Sequence, residues 1–200
     1  MTPPDIVNGW VLAGGLGSRM GGVDKGLQLY QGQPLAAHVL SALTPQVTRV
    51  GISANRNGAT YRDLLRNDAV FTDDADLPAN SGPLAGILTG LRHMQGDWLM
   101  VAPCDSPHLP PDLVARLWMV ATKKNLEIVT PVTKDRGEDR PHWACSLIHT
   151  RVCPKLQEQF VKGERKVGRF IQSLNWAAVP FEDPFAFSNM NTLESLHGRV

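Results

Sequence analysis

The sequence predicts an α/β fold, a three-layer domain in which a mostly parallel sheet is flanked by helices. Apolar strand-like runs alternate along the chain with helix-like stretches, and this alternation is typical of parallel β-α-β units. The glycine-rich and acidic segments fall just after predicted strands, where open sheets of this kind bind their ligands. Because the 200 residues contain no internal repeat, low-complexity tract or clean boundary, we expect one domain, residues 1–200.

The alternation is clearest over residues 1–130. Apolar runs predict strands at residues 6–12, 49–54, 69–72, 97–102 and 127–131. Helical spacing and helix-start signals predict helices at residues 35–43, 61–66, 83–94 and 111–122. The helix at 83–94 has the clearest period, because its apolar residues Leu84, Ile87, Leu88 and Leu91 share one face.

The pattern is less regular over residues 131–200. It predicts a polar loop at 133–140, a strand at 143–149, helices at 151–162 and 166–174, a strand at 176–181 and a short helix from 192 to 196. We therefore expect the second part of the chain to form a flank on the first.

Composition excludes several classes of protein. The formal net charge is +1 and the isoelectric point is near 7.8, so no global field attracts nucleic acid or a membrane surface. The 3 cysteines show no paired spacing, which argues against a disulfide framework or zinc site. No signal peptide or apolar run long enough to span a membrane is evident. We expect a cytoplasmic protein.

A glycine-rich segment, VLAGGLGSRMGGVDK, follows the end of the first predicted strand. Gly14, Gly15 and Gly17 can adopt positive φ and let a ligand approach the backbone, and a row of exposed N–H groups binds phosphate. Arg19 adds a planar cation and Lys25 a movable one. The segment therefore predicts a phosphate-binding loop; a surface loop that binds nothing is the alternative.

Two well-known phosphate loops differ from this segment. A Walker A loop has glycine where Asp24 precedes the lysine, and a dinucleotide fingerprint has glycine where Met20 stands. The segment instead resembles the N-terminal signature of nucleotidyltransferases, and its variant is most similar to the molybdenum cofactor guanylyltransferase family. The resemblance implies a Rossmann-like nucleotidyltransferase fold. It also implies a GTP site at Leu12, Ala13, Gly14, Gly15 and Lys25.

Asp105 follows the predicted strand at 97–102, in the string VAPCDSP. An acid just past a buried strand is well placed for Mg²⁺, which takes few carboxylates together with substrate phosphate oxygens. A turn or cap residue is the alternative, because Asp before Ser-Pro favours turns. In the family that this chain resembles, an Asp at this place ligates magnesium, so the resemblance implies that Asp105 binds the metal and contacts GTP.

Two further polar side chains follow predicted strands. The carboxylate of Asp73 can accept the N1–H and N2–H of guanine, a pattern that adenine lacks; Asp74 is the competing choice, and a solvated acidic turn the alternative to both. The side-chain amide of Asn55 can both donate and accept hydrogen bonds, which suits recognition of a base or ribose. The alternative is that Asn55 only forms a turn, as a loop Asn often does. The resemblance implies nucleotide contacts for Asn55 and Asp73.

The string SGPLAG opens the predicted helix at 83–94. Gly82 or Ser81 can cap that helix, and its N-terminal N–H groups could face a ligand; a well-made helix start without a ligand would also explain the string. The string resembles the guanylyltransferase family, and together with the Ala13–Gly15 segment it favours guanine over cytosine. The resemblance thus adds Gly82 to the GTP site.

Fewer residues indicate where the second substrate, the acceptor of the nucleotidyl group, would bind. Asn189 and Asn191 lie in a segment that resembles the family's N-x-N-T-P-E, with Leu193 in place of the proline; a capping box is the alternative. Arg165 lies in a G-E-R element that resembles the family's, or in an exposed charged turn. The charged loop 134–143 either faces an anionic pterin phosphate or is merely solvated. The resemblance implies a nucleotide-binding half at about residues 1–130 and an acceptor-binding flank at about residues 131–200, which contains Arg165, Asn189 and Asn191.

Together with these residues, the resemblance implies a Mg²⁺-dependent transfer of GMP from GTP to the phosphate of molybdopterin, or molybdenum cofactor, with release of pyrophosphate. Lys25, assisted by Arg19, would stabilise charge on the phosphates, and Asp105 would hold the metal. The acceptor comes from the resemblance alone. We expect a monomer, in transient contact with cofactor-delivery proteins. The alternatives are cytidylyl transfer to molybdopterin, sugar-phosphate nucleotidyl transfer, and a non-catalytic nucleotide-binding adaptor.

Overall fold

The computed structural model describes residues 6–13, 23–65, 70–73, 76–78 and 81–190. Ten strands and six α-helices lie within these ranges. In chain order they are β1 (Val7–Leu12), β2 (Leu29–Tyr30), β3 (Gln33–Pro34), α1 (Leu35–Leu43), β4 (Arg49–Ser53), α2 (Gly58–Leu65), β5 (Val70–Phe71), α3 (Pro83–His93), β6 (Trp98–Pro103), α4 (Leu113–Lys123), β7 (Ile128–Asp135), β8 (Glu138–Pro141), β9 (Leu147–His149), α5 (Cys153–Val161), α6 (Val167–Gln172) and β10 (Trp176–Pro180).

One eight-stranded sheet runs through the described residues, in the order β10-β7-β9-β6-β1-β4-β5, with β8 paired to β7. Strands β6, β1, β4 and β5 are mutually parallel, as are β10 and β7. Strand β9 is antiparallel to both of its neighbours, and β8 is antiparallel to β7. The predicted mostly parallel sheet is therefore confirmed. A separate hairpin pairs β2 with β3 and was not predicted.

Helices cover both faces of this sheet. Along β6, Trp98, Met100 and Ala102 belong to one buried cluster while Leu99 and Val101 belong to the other, because successive side chains of a strand point to opposite faces. Helices α1 and α4 contribute to the first cluster, and α3, α5 and α6 to the second. The three-layer prediction is confirmed.

Trp10 fixes α3 against the sheet. Its fully buried indole donates from Nε1 to the Gly86 carbonyl at 2.7 Å. A methyl group at Gly51 or Gly90 would lie 2.6 or 2.7 Å from the Trp10 ring, so both glycines let strand and helix approach the indole. The start of α3 is thereby held against the ends of β1 and β4.

Most predicted elements are confirmed, with ends that shift by a few residues. The structure corrects the prediction of a polar loop at 133–140, because β7 continues to Asp135 and a tight turn leads into β8. Arg136 and Gly137 form that turn with φ of 51° and 89°, the positive values that two-residue hairpins require. Exposed charge pairs line the hairpin, Lys134 with Asp139 at 2.6 Å among them. An exposed polar hairpin carries no apolar alternation by which it could be recognised.

The predicted strand at 143–149 is also corrected. Only Leu147–His149 pairs as a strand, and the preceding residues form a turn in which Cys145 N donates to the His142 carbonyl at 2.8 Å. The predicted helix at 192–196 lies outside the described residues. The division into a nucleotide-binding half and an acceptor flank stays a prediction.

Candidate functional site

Four parallel strands end side by side at one edge of the sheet. In register, Leu12 of β1 pairs with Ser53 of β4 and with Pro103 of β6, and Ser53 pairs with Phe71 of β5. Backbone hydrogen bonds continue past these ends, including Ala13 N to the Ser53 carbonyl at 2.8 Å. The described residues that follow these four strands, among them Ala13, Asn55, Asp73 and Asp105, therefore lie at one edge of the sheet.

Lys25 and Asp105 meet at this edge, although 80 residues of sequence separate them. Nζ of Lys25 lies 3.5 Å from Oδ2 of Asp105, and the two side chains are 24% and 11% exposed. Burial raises the pKa of the Asp105 carboxyl from its usual range, while the Lys25 ammonium opposes that rise. A largely desolvated carboxylate of this kind favours a nearby cation.

The residues around Asp105 tie the strand end to the last described segment. Met190 N donates to the Asp105 carbonyl at 2.9 Å, and Ser106 Oγ donates to Asn189 Oδ1 at 2.8 Å. The structure thus brings Asn189 to the loop that carries Asp105. Sequence reasoning missed Ser106, whose only signal was its place directly after the predicted metal ligand.

Asn55 and Asp73 also meet, as their positions after β4 and β5 predict. Asn55 Nδ2 donates to Asp73 Oδ2 at 2.8 Å, and Asp73 N donates to Asn55 Oδ1 at 2.8 Å. Ser53 Oγ donates to Asp73 Oδ1 at 3.2 Å. These bonds orient the Asp73 carboxylate, and each of its oxygens retains capacity to accept a further N–H. The choice between Asp73 and Asp74 stays open, because Asp74 lies outside the described residues.

Gly82 precedes α3 in a conformation that favours glycine. Its φ of 80° and ψ of −171° fall in a region that is essentially closed to other residues. Helix α3 then packs tightly on the strand ends, since a methyl group at Gly86 would lie 2.9 Å from both Leu12 Cδ2 and Ser53 Oγ. The N-terminus of α3 is therefore placed at the same edge as the other predicted site residues.

A cavity of about 340 Å³ is lined by Ser106, the residue that follows Asp105 in the chain. Polar and aromatic side chains line it, including Ser106, Arg140, His142, Trp143 and Asn189. Burial, assisted by the Arg140 charge, lowers the pKa of His142 to about 4. The ring of His142, stacked on Phe187 with centroids 4.6 Å apart, is therefore neutral near pH 7. The sequence analysis left open whether the loop 134–143 faces an acceptor or is merely solvated, and the structure places three of its residues, Arg140, His142 and Trp143, in the wall of this cavity.

The structure places Arg165 in the turn between α5 and α6. Its Nη1 donates to the carbonyls of Phe160 and Glu164 at 2.6 and 2.7 Å, and its guanidinium lies 3.9 Å above the Phe160 ring. These contacts anchor the side chain locally, and its contact with an acceptor stays a prediction. Four other predicted site residues lie outside the described residues: Gly14, Gly15, Arg19 and Asn191.

Among the described residues, no three His, Cys, Asp or Glu side chains are grouped as a metal site. Mg²⁺ does not need such a group, because it commonly binds through one or two carboxylates together with substrate phosphates and water. The single, largely buried carboxylate of Asp105, at a strand end, fits that donor set. No helix in the described ranges has the length and apolar character to cross a membrane.

Comparisons of sequence show where this chain belongs. The family model described as a MobA-like NTP transferase domain matches residues 9–179. A protein of Cupriavidus taiwanensis named molybdenum cofactor guanylyltransferase is 43% identical over 199 residues, covering 98% of this chain and 97% of its own length. A protein of the same name from Ralstonia pickettii is 41% identical over 204 residues, covering 98% and 97%.

Solved structures agree on the fold. The molybdopterin-guanine dinucleotide biosynthesis protein A of Archaeoglobus fulgidus has a TM-score of 0.74 at 22% identity, over 95% of both chains. The 4-diphosphocytidyl-2C-methyl-D-erythritol synthase of Anaerococcus prevotii has a TM-score of 0.69 at 9% identity, over 96% of this chain and 95% of its own. At such identities the likeness shows the fold alone, and the predicted nucleotidyltransferase fold is confirmed.

Proposed function

Because the chain belongs to the MobA-like NTP transferase family, we propose that it transfers GMP from GTP to the phosphate of molybdopterin, releasing pyrophosphate. The names of its relatives support guanine as the base and the molybdenum cofactor as the acceptor. The observation that carries the proposal is the Lys25–Asp105 pair, at 3.5 Å, on the strand edge that also carries Asn55 and Asp73. A lysine and a carboxylate at that edge suit a triphosphate and its metal ion.

The nucleotide would occupy the ends of β1, β4 and β5. Asp73, oriented by Asn55 and Ser53, would accept the N1–H and N2–H of guanine. A site built around that pair discriminates against bases that lack it. The backbone of Leu12 and Ala13 would hold the nucleoside. Gly14, Gly15 and Gly82, with the N-terminus of α3, would offer N–H groups to the phosphates.

The chemistry would depend on position and charge. The acceptor phosphate oxygen would attack the α-phosphorus of GTP in line, and pyrophosphate would leave with the electron pair of the broken P–O bond. Lys25, assisted by Arg19, would stabilise the charge that develops on the phosphates. No protein base is needed, because a phosphate monoester is already ionised near pH 7. Asp105 would hold Mg²⁺, which when bound supplies charge neutralisation and alignment of the phosphates.

The acceptor would occupy the cavity that Ser106 and Asn189 help to line. Arg140 supplies a cation at its wall, Trp143 an aromatic surface, and Ser106 and Asn189 polar groups. A neutral His142 presents a ring without a charge. Such a mixture suits a flat heterocycle that carries a phosphate. We extend the proposal to Asn191 and Arg165 as further acceptor contacts.

The free cysteines Cys104, Cys145 and Cys153 are compatible with a reducing compartment, and we propose that the enzyme works in the cytoplasm. We retain the monomer, with transient contacts to cofactor-delivery proteins, as part of the same proposal.

A pyrophosphate-release assay tests this function. Purified protein is incubated with Mg²⁺, molybdopterin and GTP, CTP or ATP in turn. We expect release with GTP, dependence on molybdopterin and loss of release on chelation of the metal. Faster release with CTP or ATP would reject the guanine assignment. Pyrophosphate release that persists after chelation would reject the requirement for Mg²⁺. Release that is unaffected by Asp105→Ala would reject Asp105 as the metal ligand.

A further inference from the structure

Asp24 is a buried carboxylate beside Lys25, and the proposed chemistry gives it no role. It is 8% exposed, and three hydrogen-bond donors and one guanidinium surround it. Its Oδ1 accepts from Tyr61 Oη at 2.6 Å and from Gly26 N at 3.2 Å. Its Oδ2 accepts from Asn57 Nδ2 at 2.9 Å and lies 3.7 Å from Arg56 Nε. Because a desolvated carboxylate is costly unless its lone pairs are satisfied, this set of donors fixes Asp24 in one place.

Two of these groups, Arg56 and Asn57, come from the segment that follows β4. Asn55, Arg56 and Asn57 are consecutive, yet they face different parts of the site: Asn55 bonds Asp73, while Arg56 and Asn57 face Asp24. Arg56 Nη2 also donates to the Val23 carbonyl at 2.9 Å. This three-residue segment therefore links the proposed base contact to the turn that carries Lys25.

Residues Lys25–Leu27 form a 3₁₀ turn, the lysine turn, and Asp24 is its N-cap. Close packing restricts the conformations that this turn can adopt. A methyl group at Gly26 would collide with the Tyr61 hydroxyl and lie 3.2 Å from Cys104 Sγ. Tyr61 is fully buried, and burial raises the pKa of its phenol far above the ordinary value, so the hydroxyl stays a donor. The chain contains 2 tyrosines, and this one supports Asp24.

We propose that Asp24 is a positioning residue for Lys25: with Tyr61, Asn57 and Arg56 it locks the lysine turn to the segment that orients the base contact. The Lys25 ammonium is thereby presented to the GTP phosphates at a fixed distance from the guanine site. This inference rests on the proposed GTP site, because it gives Lys25 the role of a phosphate contact.

The test is a double-mutant cycle on GTP affinity, measured by calorimetry without acceptor. Tyr61→Phe removes one hydroxyl and keeps the ring. We expect it to weaken GTP binding about fivefold, and Asp24→Asn to weaken it about tenfold, because each removes a hydrogen bond of a charged group. In a Lys25→Ala background both changes should alter affinity less than about twofold, since residues that act through one partner are not additive.

Tyr30→Phe is the matched control, because it removes the other tyrosine hydroxyl, which accepts only a long bond of 3.3 Å from Gln31 among the described contacts. It should leave affinity unchanged in both backgrounds. Thermal melts establish that each variant is folded. If Asp24→Asn does not fold, the GTP affinities of Tyr61→Phe in the two backgrounds decide the test.

Two outcomes would overturn the inference. Unchanged affinity in Tyr61→Phe would show that the network does not matter to GTP. An equal loss of GTP affinity in the wild-type and Lys25→Ala backgrounds would show that the network supports the fold rather than the position of Lys25. Both differ from failure of the proposed function, which would appear as wild-type protein that binds no GTP, or as a Lys25→Ala variant that binds it as tightly as wild type.

Discussion

Nζ of Lys25 lies 3.5 Å from Oδ2 of Asp105, so a cation from the first loop of the chain faces the acid at the end of the central strand β6. The carboxylate is mostly desolvated and its pKa is raised by burial, a state that costs stability and is typical of functional sites. The pair marks the meeting point of the proposed nucleotide and acceptor sites.

The first prediction concerns the scaffold at Trp10. Gly90→Ala would place a methyl group 2.7 Å from the indole, and overpacking of this kind destabilises by about 1–3 kcal/mol. Gly58→Ala is the matched helical control, because its methyl group would meet nothing nearer than Val70 Cγ1 at 4.0 Å. Urea denaturation of both variants measures the effect. Equal stability of the two variants would contradict the packing described around Trp10.

The second prediction concerns the choice of base. Asp73→Asn replaces one acceptor oxygen by a donor, so it should lose the pairing with guanine N1–H and N2–H. Wild-type protein should bind GTP more tightly than ITP, which lacks the N2 amino group, and Asp73→Asn should reduce that preference by about tenfold. Calorimetric titration with both nucleotides measures it. The matched control is Asp74→Asn; loss of the preference there, with Asp73→Asn unaffected, would move the base contact to Asp74.

The third prediction concerns pH. The folded state holds the pKa of His142 at about 4, below the ordinary value of 6.5 for a histidine. The unfolded chain therefore binds more protons between these values, so stability should rise as pH increases from about 4 to 6.5 and be lost as pH falls through that window. His142→Gln should flatten this rise. Denaturation curves across the window measure it, and an unchanged slope in the variant would show that His142 does not titrate as described.

The fourth prediction separates the acceptor side from the nucleotide side. Gly168 lies against Trp143, and a methyl group there would come within 2.9 Å of the indole Nε1. Gly168→Ala should shift the indole, which lines the proposed acceptor cavity, and raise the KM for molybdopterin several-fold. The GTP dissociation constant should not change. A change in GTP affinity without a change in the acceptor KM would contradict the assignment of this cavity.

The strongly patterned half of the chain was predictable because its signals are local. Strands β1, β4 and β6 are buried apolar runs, and α1 and α3 have helical apolar periods, so their ends agree with the structure within about two residues. Polar residues after parallel strands predicted the meeting of Asn55 with Asp73, because strand ends of a parallel sheet share one edge.

The remainder depends on contacts that local sequence does not encode. The β7–β8 hairpin is exposed and charged, so it lacks an apolar pattern. Strand β9 enters the sheet antiparallel between β6 and β7, and this reversal leaves no mark in its three residues. Asp24 looks like an ordinary turn acid in sequence, but in the fold it accepts hydrogen bonds from Asn57 and Tyr61, which lie 33 and 37 residues further along the chain.

The account depends most on Lys25 as the residue that stabilises the phosphates during guanylyl transfer. The measurement is transfer of label from [α-³²P]GTP to molybdopterin by wild-type protein, Lys25→Ala, and the control Lys134→Ala, whose side chain is 70% exposed on the β7–β8 hairpin. We expect labelled dinucleotide from wild type and Lys134→Ala, and a rate at least about 100-fold lower from Lys25→Ala, the typical cost of removing one such electrostatic group. Labelled product formed by Lys25→Ala at the wild-type rate, or no labelled product from the wild-type protein, would contradict the account.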